Sequence, residues 1–98
     1  MKIIQDKQAN KLTLTIEGRI DTKTAPELGQ VITAELEGIK ELIFDLEQVS
    51  YISSAGLRIL LISQKQMNRQ GKMKIVHANA DLMEIFEVTG FTEILTIE

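Results

Sequence analysis

The residues whose types and spacing could do chemistry fall in one stretch, Asp45-Leu46-Glu47-Gln48-Val49-Ser50-Tyr51-Ile52-Ser53-Ser54-Ala55-Gly56-Leu57-Arg58. It reads as a strand, a loop and the start of a helix. In an α/β sheet, sites form where the C-terminal ends of strands meet the N-terminal ends of helices. Ser54 stands where a helix N-cap belongs, and its hydroxyl can accept the N–H of Gly56 or Leu57. Gly56 in a first helical turn is locally costly. It therefore predicts that something approaches the backbone closely there. On residue types alone, a serine at this place is a cap.

Other chemistry is poorly supplied. The single histidine, His77, closes a predicted strand and reads as a packed or surface residue. A Ser-His-Asp site would have to recruit it, and nothing in the sequence brings it to a serine. No His-x-x-x-His or Glu-x-x-His spacing is present for a metal, and there is no cysteine. No Gly-x-x-x-x-Gly-Lys loop is present for a nucleotide phosphate. Asp81, Glu84 and Glu87 share one helical stripe that reads as a solvated face. The expectation is a protein that is not an enzyme, with no cofactor, no metal and no catalytic residue.

The elements that must position this stretch follow from periodicity and caps. Lys2 to Gln8 is weakly strand-like, and Ala9-Asn10-Lys11 reads as a tight turn. Leu12, Leu14 and Ile16 then alternate with polar residues, so the two segments make a hairpin ended by Gly18. Thr24 and Glu27 form a candidate capping box with Pro26 in the first turn, opening a helix through Leu36 that Gly38 closes. Lys40 to Leu46 is a short buried strand ending at Asp45, followed by a loop over Glu47 to Ser53. A second helix runs from Ser54 to Gln70, stopped by Gly71. Lys72 to His77 is a strand, and Asn79 caps a third helix through Val88 that ends at Gly90. Phe91 to Ile97 is the last strand.

The order is ββαβαβαβ. Strands joined through single helices imply parallel pairing by right-handed crossovers. With successive strands as neighbours, every helix falls on one face. The predicted fold is α/β, a two-layer mixed β-sheet with an N-terminal antiparallel hairpin and three main helices on one face. The 98 residues make one domain, residues 1–98.

Charge and hydropathy narrow the function classes. The formal net charge is −3 and the pI about 5.2, without the basic excess of a nucleic-acid binder. No apolar run approaches the ~20 residues that span a bilayer. The start, Met1-Lys2-Ile3-Ile4-Gln5-Asp6, turns polar too soon for a secretory signal. The expected setting is the cytoplasm, with no nucleic acid bound and no membrane insertion.

The central stretch resembles the signature of STAS domains in bacterial anti-sigma factor antagonists. In that family an Asp ends a strand, and an apolar pair precedes Asp-Ser-Ser/Thr-Gly-Leu. The serine after the second Asp is the phosphoacceptor. Asp45 matches the strand-ending Asp, Val49 and Ile52 the apolar positions, Ser54 the phosphoacceptor, and Gly56-Leu57 the Gly-Leu. Gly18-Arg19-Ile20-Asp21 with Thr24-Ala25-Pro26-Glu27-Leu28 resembles the family's Gly-x-x-Asp…Thr-Ala-x-x-Leu segment. Phe86-Glu87-Val88-Thr89-Gly90-Phe91 resembles its C-terminal helix and turn. Two positions depart: Ser53 replaces the Asp before the phosphoacceptor, and Ala55 follows it. The first departure makes Ser53 the alternative modified residue.

The resemblance implies a cycle. The unphosphorylated domain, a monomer when free, binds an anti-sigma factor that is also a serine kinase, and a sigma factor is released. Phosphorylation at Ser54 ends that binding, and a phosphatase resets it. At about 100° per residue, Ser54, Arg58, Lys65 and Arg69 share one side of the second helix, with Ile62 among them. Leu57, Leu60, Leu61 and Met67 face the sheet. Asp21 lies on the same sheet edge as Ser54. The expected partner-binding residues are Asp21, Ser53, Ser54, Gly56, Arg58 and Ile62. The alternative is a STAS-type interaction module of a transporter, lipid-trafficking or stress-signalling assembly, without a phospho-switch.

Overall fold

The computed structural model describes residues 1–98. The elements in order are β1 (Lys2–Gln8), β2 (Lys11–Ile20), α1 (Ala25–Glu35), β3 (Glu41–Ile52), α2 (Ser54–Gln70), β4 (Lys72–Val76) and α3 (Ala80–Val88), followed by a 3₁₀ turn at Phe91–Glu93. The sheet order is β1-β2-β3-β4. β1 and β2 are antiparallel, whereas β2–β3 and β3–β4 are parallel.

One face of the sheet is apolar and the other is not. Leu12 pairs with Leu42 and Leu14 with Phe44 across β2 and β3. Met73 and Ile75 extend the same two rows into β4. Residues alternate across a strand, so these side chains share a face, and all are buried. All three helices add to that one core: Leu28 and Ile32 from α1, Leu57, Leu60 and Met67 from α2, Leu82 and Phe86 from α3. This is the expected two-layer arrangement, with the helices on the same side of a mixed sheet.

Four expectations need correction. Gly18, read as the end of the second strand, lies inside β2, which stays paired to Ile20. The segment Glu47 to Ile52, read as loop, continues β3. Between Thr15/Glu17 and Gly18/Arg19, β2 advances one residue less than β3, so β3 carries an extra residue at each shift. These bulges space the buried residues Leu46, Val49 and Ile52 three apart instead of two. The segment Phe91 to Ile97, read as a strand, is the 3₁₀ turn and a single bridge between Ile97 and Ile75. Gly90 at φ 79° turns the chain out of α3, and the Phe91 carbonyl takes the N–H groups of Ile94 and Leu95. The capping box at α1 does not form. Thr24 is the N-cap residue but makes no side-chain cap bond. Its hydroxyl instead accepts the Asp21 N–H at 2.8 Å and donates to the Arg19 carbonyl at 2.8 Å.

Candidate functional site

The site is built on the ends of β2 and β3. Ile20 and Ile52 are register partners there, both buried. The next residue of β3's chain, Ser53, donates its N–H to the Ile20 carbonyl at 2.8 Å. That bond carries the pairing one step past the strand and puts Asp21 and Ser54, each one residue beyond it, on the same rim.

Ser53, not Ser54, caps α2. Because β3 stays extended to Ile52, Ser53 is the one residue between strand and helix, and it keeps an extended backbone (φ −90°, ψ 175°). Its hydroxyl accepts the Gly56 N–H at 3.3 Å and its carbonyl accepts the Leu57 N–H at 2.9 Å. Ser54 is the first helical residue and is exposed. The expectation of Ser54 as the cap is therefore corrected by one residue. The departure of Ser53 from a family Asp also gains a physical meaning, since Ser and Asp cap helices about equally well.

Gly56 is needed inside the molecule rather than at its surface. It is buried. A Cβ there would sit 2.7 Å from Ile20 Cγ2 and 2.7 Å from Ile52 Cγ1. The close approach foreseen from the sequence is that of α2 onto the strand ends. Gly56 is turned toward the strand ends, where its missing side chain makes room for Ile20 and Ile52.

Asp21 is a turn residue whose charge is held on the rim. Its Oδ1 accepts the N–H groups of Lys23 and Thr24, each at 3.0 Å, and lies 3.2 Å from the Thr24 hydroxyl, whose one hydrogen it shares with the nearer Arg19 carbonyl. The Thr24 backbone N–H is the main reason its carboxyl lies below the ordinary carboxylate range; Lys23, the Thr24 hydroxyl and the Arg19 charge act in the same direction, against partial desolvation. The second oxygen lies 3.7 Å from Arg19 Nε.

On α2 the expected polar stripe is exposed throughout: Ser54, Arg58, Ile62, Lys65 and Arg69. Ile62 leaves half of its surface, 50%, in solvent. Leu57, Leu60 and Met67 are buried against the sheet, and Leu61 is half-buried.

Two contacts were not foreseen. The Arg19 guanidinium lies 4.5 Å from the centroid of the Tyr51 ring, and the two residues are register partners. The pattern that could have revealed this is the position of each residue one before a buried isoleucine at the end of neighbouring strands. His77, at φ 63°, sets Nδ1 3.0 Å from Asp45 Oδ1. It is a surface residue, as expected, and no serine hydroxyl bonds to it. No three His, Cys, Asp or Glu side chains gather closely enough to hold a metal ion, and no helix is long and apolar enough to cross a membrane.

Residues 2–98 match the protein family described as the STAS domain. The chain belongs to that family. Among its relatives, this STAS domain is 31% identical to the BtrV protein of Bordetella bronchiseptica, over 99% of this chain and 85% of the relative. It is 29% identical to an anti-sigma-B factor antagonist of Listeria monocytogenes, over 97% of this chain and 85% of the relative. Its backbone is similar to that of an anti-sigma factor antagonist from Mycobacterium paratuberculosis, with a TM-score of 0.88 at 23% identity over 98% and 83% of the two chains. It is also similar to the Bacillus cell fate determinant SpoIIAA in its phosphorylated form, with a TM-score of 0.77 at 12% identity over 99% and 91% of the chains.

Proposed function

We propose that this STAS domain is an anti-sigma factor antagonist, a regulatory binding protein of the cytoplasm rather than an enzyme, whose binding is switched off by phosphorylation of Ser54. In the unphosphorylated state it binds an anti-sigma factor that is also its serine kinase, and so frees a sigma factor. A phosphatase restores the binding state. ATP belongs to the kinase.

One observation carries the choice of residue. Of the two adjacent serines, Ser53 has its hydroxyl engaged with Gly56 N–H, while Ser54 is exposed on the first turn of α2. A kinase needs a hydroxyl it can reach, and Ser54 supplies it. Support for the partner class comes from the Listeria relative, named for antagonism of an anti-sigma factor, and support for a phosphorylated state from SpoIIAA, a protein of the same fold solved in phosphorylated form.

The physics of the switch is local. A phosphoserine carries about −1.5 to −2 charges at neutral pH. The first N–H groups of α2 have no carbonyl partner within the helix, and the dipole favours an anion there. The domain accommodates the modification; a partner packed over Ser54, with Asp21 already negative on the same rim, does not. The test is the intact mass of the protein after incubation with a serine-kinase anti-sigma factor and ATP. A gain of one phosphate, lost in Ser54→Ala and kept in Ser53→Ala, supports the assignment. Loss only in Ser53→Ala moves it to Ser53, and no gain at all leaves a STAS-type interaction module without a phospho-switch.

A further inference from the structure

The groove between α1 and α2 is an apolar trough flanked on its α2 side by a row of cations. It has a volume of about 570 Å³ and is lined by Pro26, Gly29, Gln30 and Thr33 from α1 and by Ile59 and Ile62 from α2, among others. Gly29 faces Ile59 across it: a Cβ at 29 would lie 3.2 Å from Ile59 Cδ1. The glycine lowers the α1 wall and keeps the trough open. The α1 side offers Gln30 and Thr33 as its polar lining, and the helix behind it carries Glu27 and Glu35, the latter paired with Lys7.

The α2 side is different. Arg58, Ile62, Lys65 and Arg69 follow one another at spacings of four, three and four, one stripe about 16 Å long on a helix rising 1.5 Å per residue. The chain has 14 acidic residues against 11 basic ones. Yet α2 contains no acid at all. The carboxylates that form ion pairs are Glu35, Asp21, Glu98 and Asp45, and they serve Lys7, Arg19, Lys74 and His77. Arg58, Lys65 and Arg69 have none. A net-acidic protein has thus kept three unpaired cations on the helix face that borders its apolar groove, around a half-exposed isoleucine.

We propose that the α1/α2 groove docks an acidic amphipathic helix of a protein partner. An apolar residue of that helix would sit against Ile59 and Ile62, and Asp or Glu side chains on its flank would pair with Arg58, Lys65 and Arg69. A helix laid into a groove is read through apolar anchors at spacings of three and four, and charge on its flank fixes orientation and partner choice. The inference extends the proposed partner face from Arg58 and Ile62 to α1 and to the distal half of α2. It rests on that reading of the α2 face, but not on Ser54 being phosphorylated.

The test uses the full chain and a displayed library of helical peptides of about 14 residues, long enough for the stripe. Each carries a fixed apolar stripe and random flanks. Enrichment of Asp and Glu on one flank is expected, with amide shift changes confined to α1 and α2. Affinity should fall as salt rises. Ile62→Asp should weaken binding roughly tenfold or more, the size of loss at an anchor position. The charge reversal Lys65→Glu/Arg69→Glu, on exposed positions that leave the core untouched, should shift preference to peptides with Lys and Arg flanks. Selected flanks that are neutral or basic, binding unaffected by Ile62→Asp, or a selected peptide that maps elsewhere would each overturn the proposal. So would concentration-dependent self-association through this groove, which would make a second copy the occupant. Any of these can occur while Ser54 is still phosphorylated by the kinase, so the two readings fail separately.

Discussion

The hydroxyl of Ser53 accepts the N–H of Gly56 at 3.3 Å, and this bond divides labour between two adjacent serines. One is spent on holding the first turn of α2. The other, one residue on, is left exposed. Ser53→Ala should therefore cost about 1 kcal/mol, the usual loss for a removed N-cap, whereas Ser54→Ala should be close to neutral. Urea unfolding of the two variants measures the difference. Equal losses, or a larger loss at Ser54, would reassign the cap. Ser53→Asp should unfold at least as late as wild type, because the carboxylate caps and also suits the helix dipole.

A second prediction concerns Gly56. In an ordinary exposed helix position, Gly→Ala stabilises by about 1 kcal/mol. Here the new methyl would meet Ile20 and Ile52 at 2.7 Å each. Overpacking of a buried contact costs about 1–3 kcal/mol, so steric cost wins and Gly56→Ala should lower the melting temperature. A stabilised Gly56→Ala would mean that α2 can lift off the strand ends freely.

The pH response of the rim follows from Asp21. Its carboxyl lies below the ordinary value in the folded protein because the Thr24 and Lys23 N–H groups and the Thr24 hydroxyl bind the charged form. A carboxyl depressed on folding adds stability above its unfolded pKa, roughly pH 4. That contribution is lost as pH falls through the folded value. The Asp21 side-chain carbon resonance should thus titrate below that of a reference peptide. In Asp21→Asn the loss of stability on acidification should be shallower than in wild type. An Asp21 midpoint at the ordinary value would show that the turn does not bind the carboxylate.

Much of this was legible in the sequence, for physical reasons that differ by element. The bounds of α2 could be read because Gly71 stops it and its apolar residues keep helical spacing. The sheet face was legible in Leu12, Leu14 and Ile16 because an unbroken strand alternates. The second half of β3 was not, because two bulges convert its burial pattern to Leu46, Val49, Ile52, a spacing that belongs to no regular strand. That hidden extension also misplaced the cap. Read as a loop, Glu47 to Ser53 leaves the helix start loosely defined; seen as strand to Ile52, it forces the cap onto Ser53. Gly56 was recognised as unusual, but its reason lies in the packing of Ile52 together with Ile20, the latter thirty-six positions away in the chain, which no local pattern contains. Arg19 over Tyr51 was likewise a fact of register between β2 and β3.

The last prediction concerns what a negative charge at Ser54 does. Ser54 is the first residue of α2 rather than its cap, so replacing it removes no hydrogen bond that holds the helix. An acid in the first turn is favoured by the dipole, by about 0.3–1 kcal/mol at exposed sites. Ser54→Asp should therefore melt at or slightly above the wild-type temperature. Its effect should appear in binding instead. The charge would add to that of Asp21 on the same rim, and a partner seated there would have to desolvate both. Ser54→Asp should bind the anti-sigma factor much more weakly than wild type, while Ser54→Ala should bind normally and accept no phosphate. Thermal melts and binding titrations, run on both variants and on the genuinely phosphorylated protein, decide the matter. A phosphoprotein that is destabilised or rearranged would put the switch in the fold rather than at the interface. A phosphoprotein that binds as well as the unmodified one would leave Ser54 without a switching role. The remaining result, an intact fold with lost binding, is the one that a free hydroxyl beside an already capped helix implies.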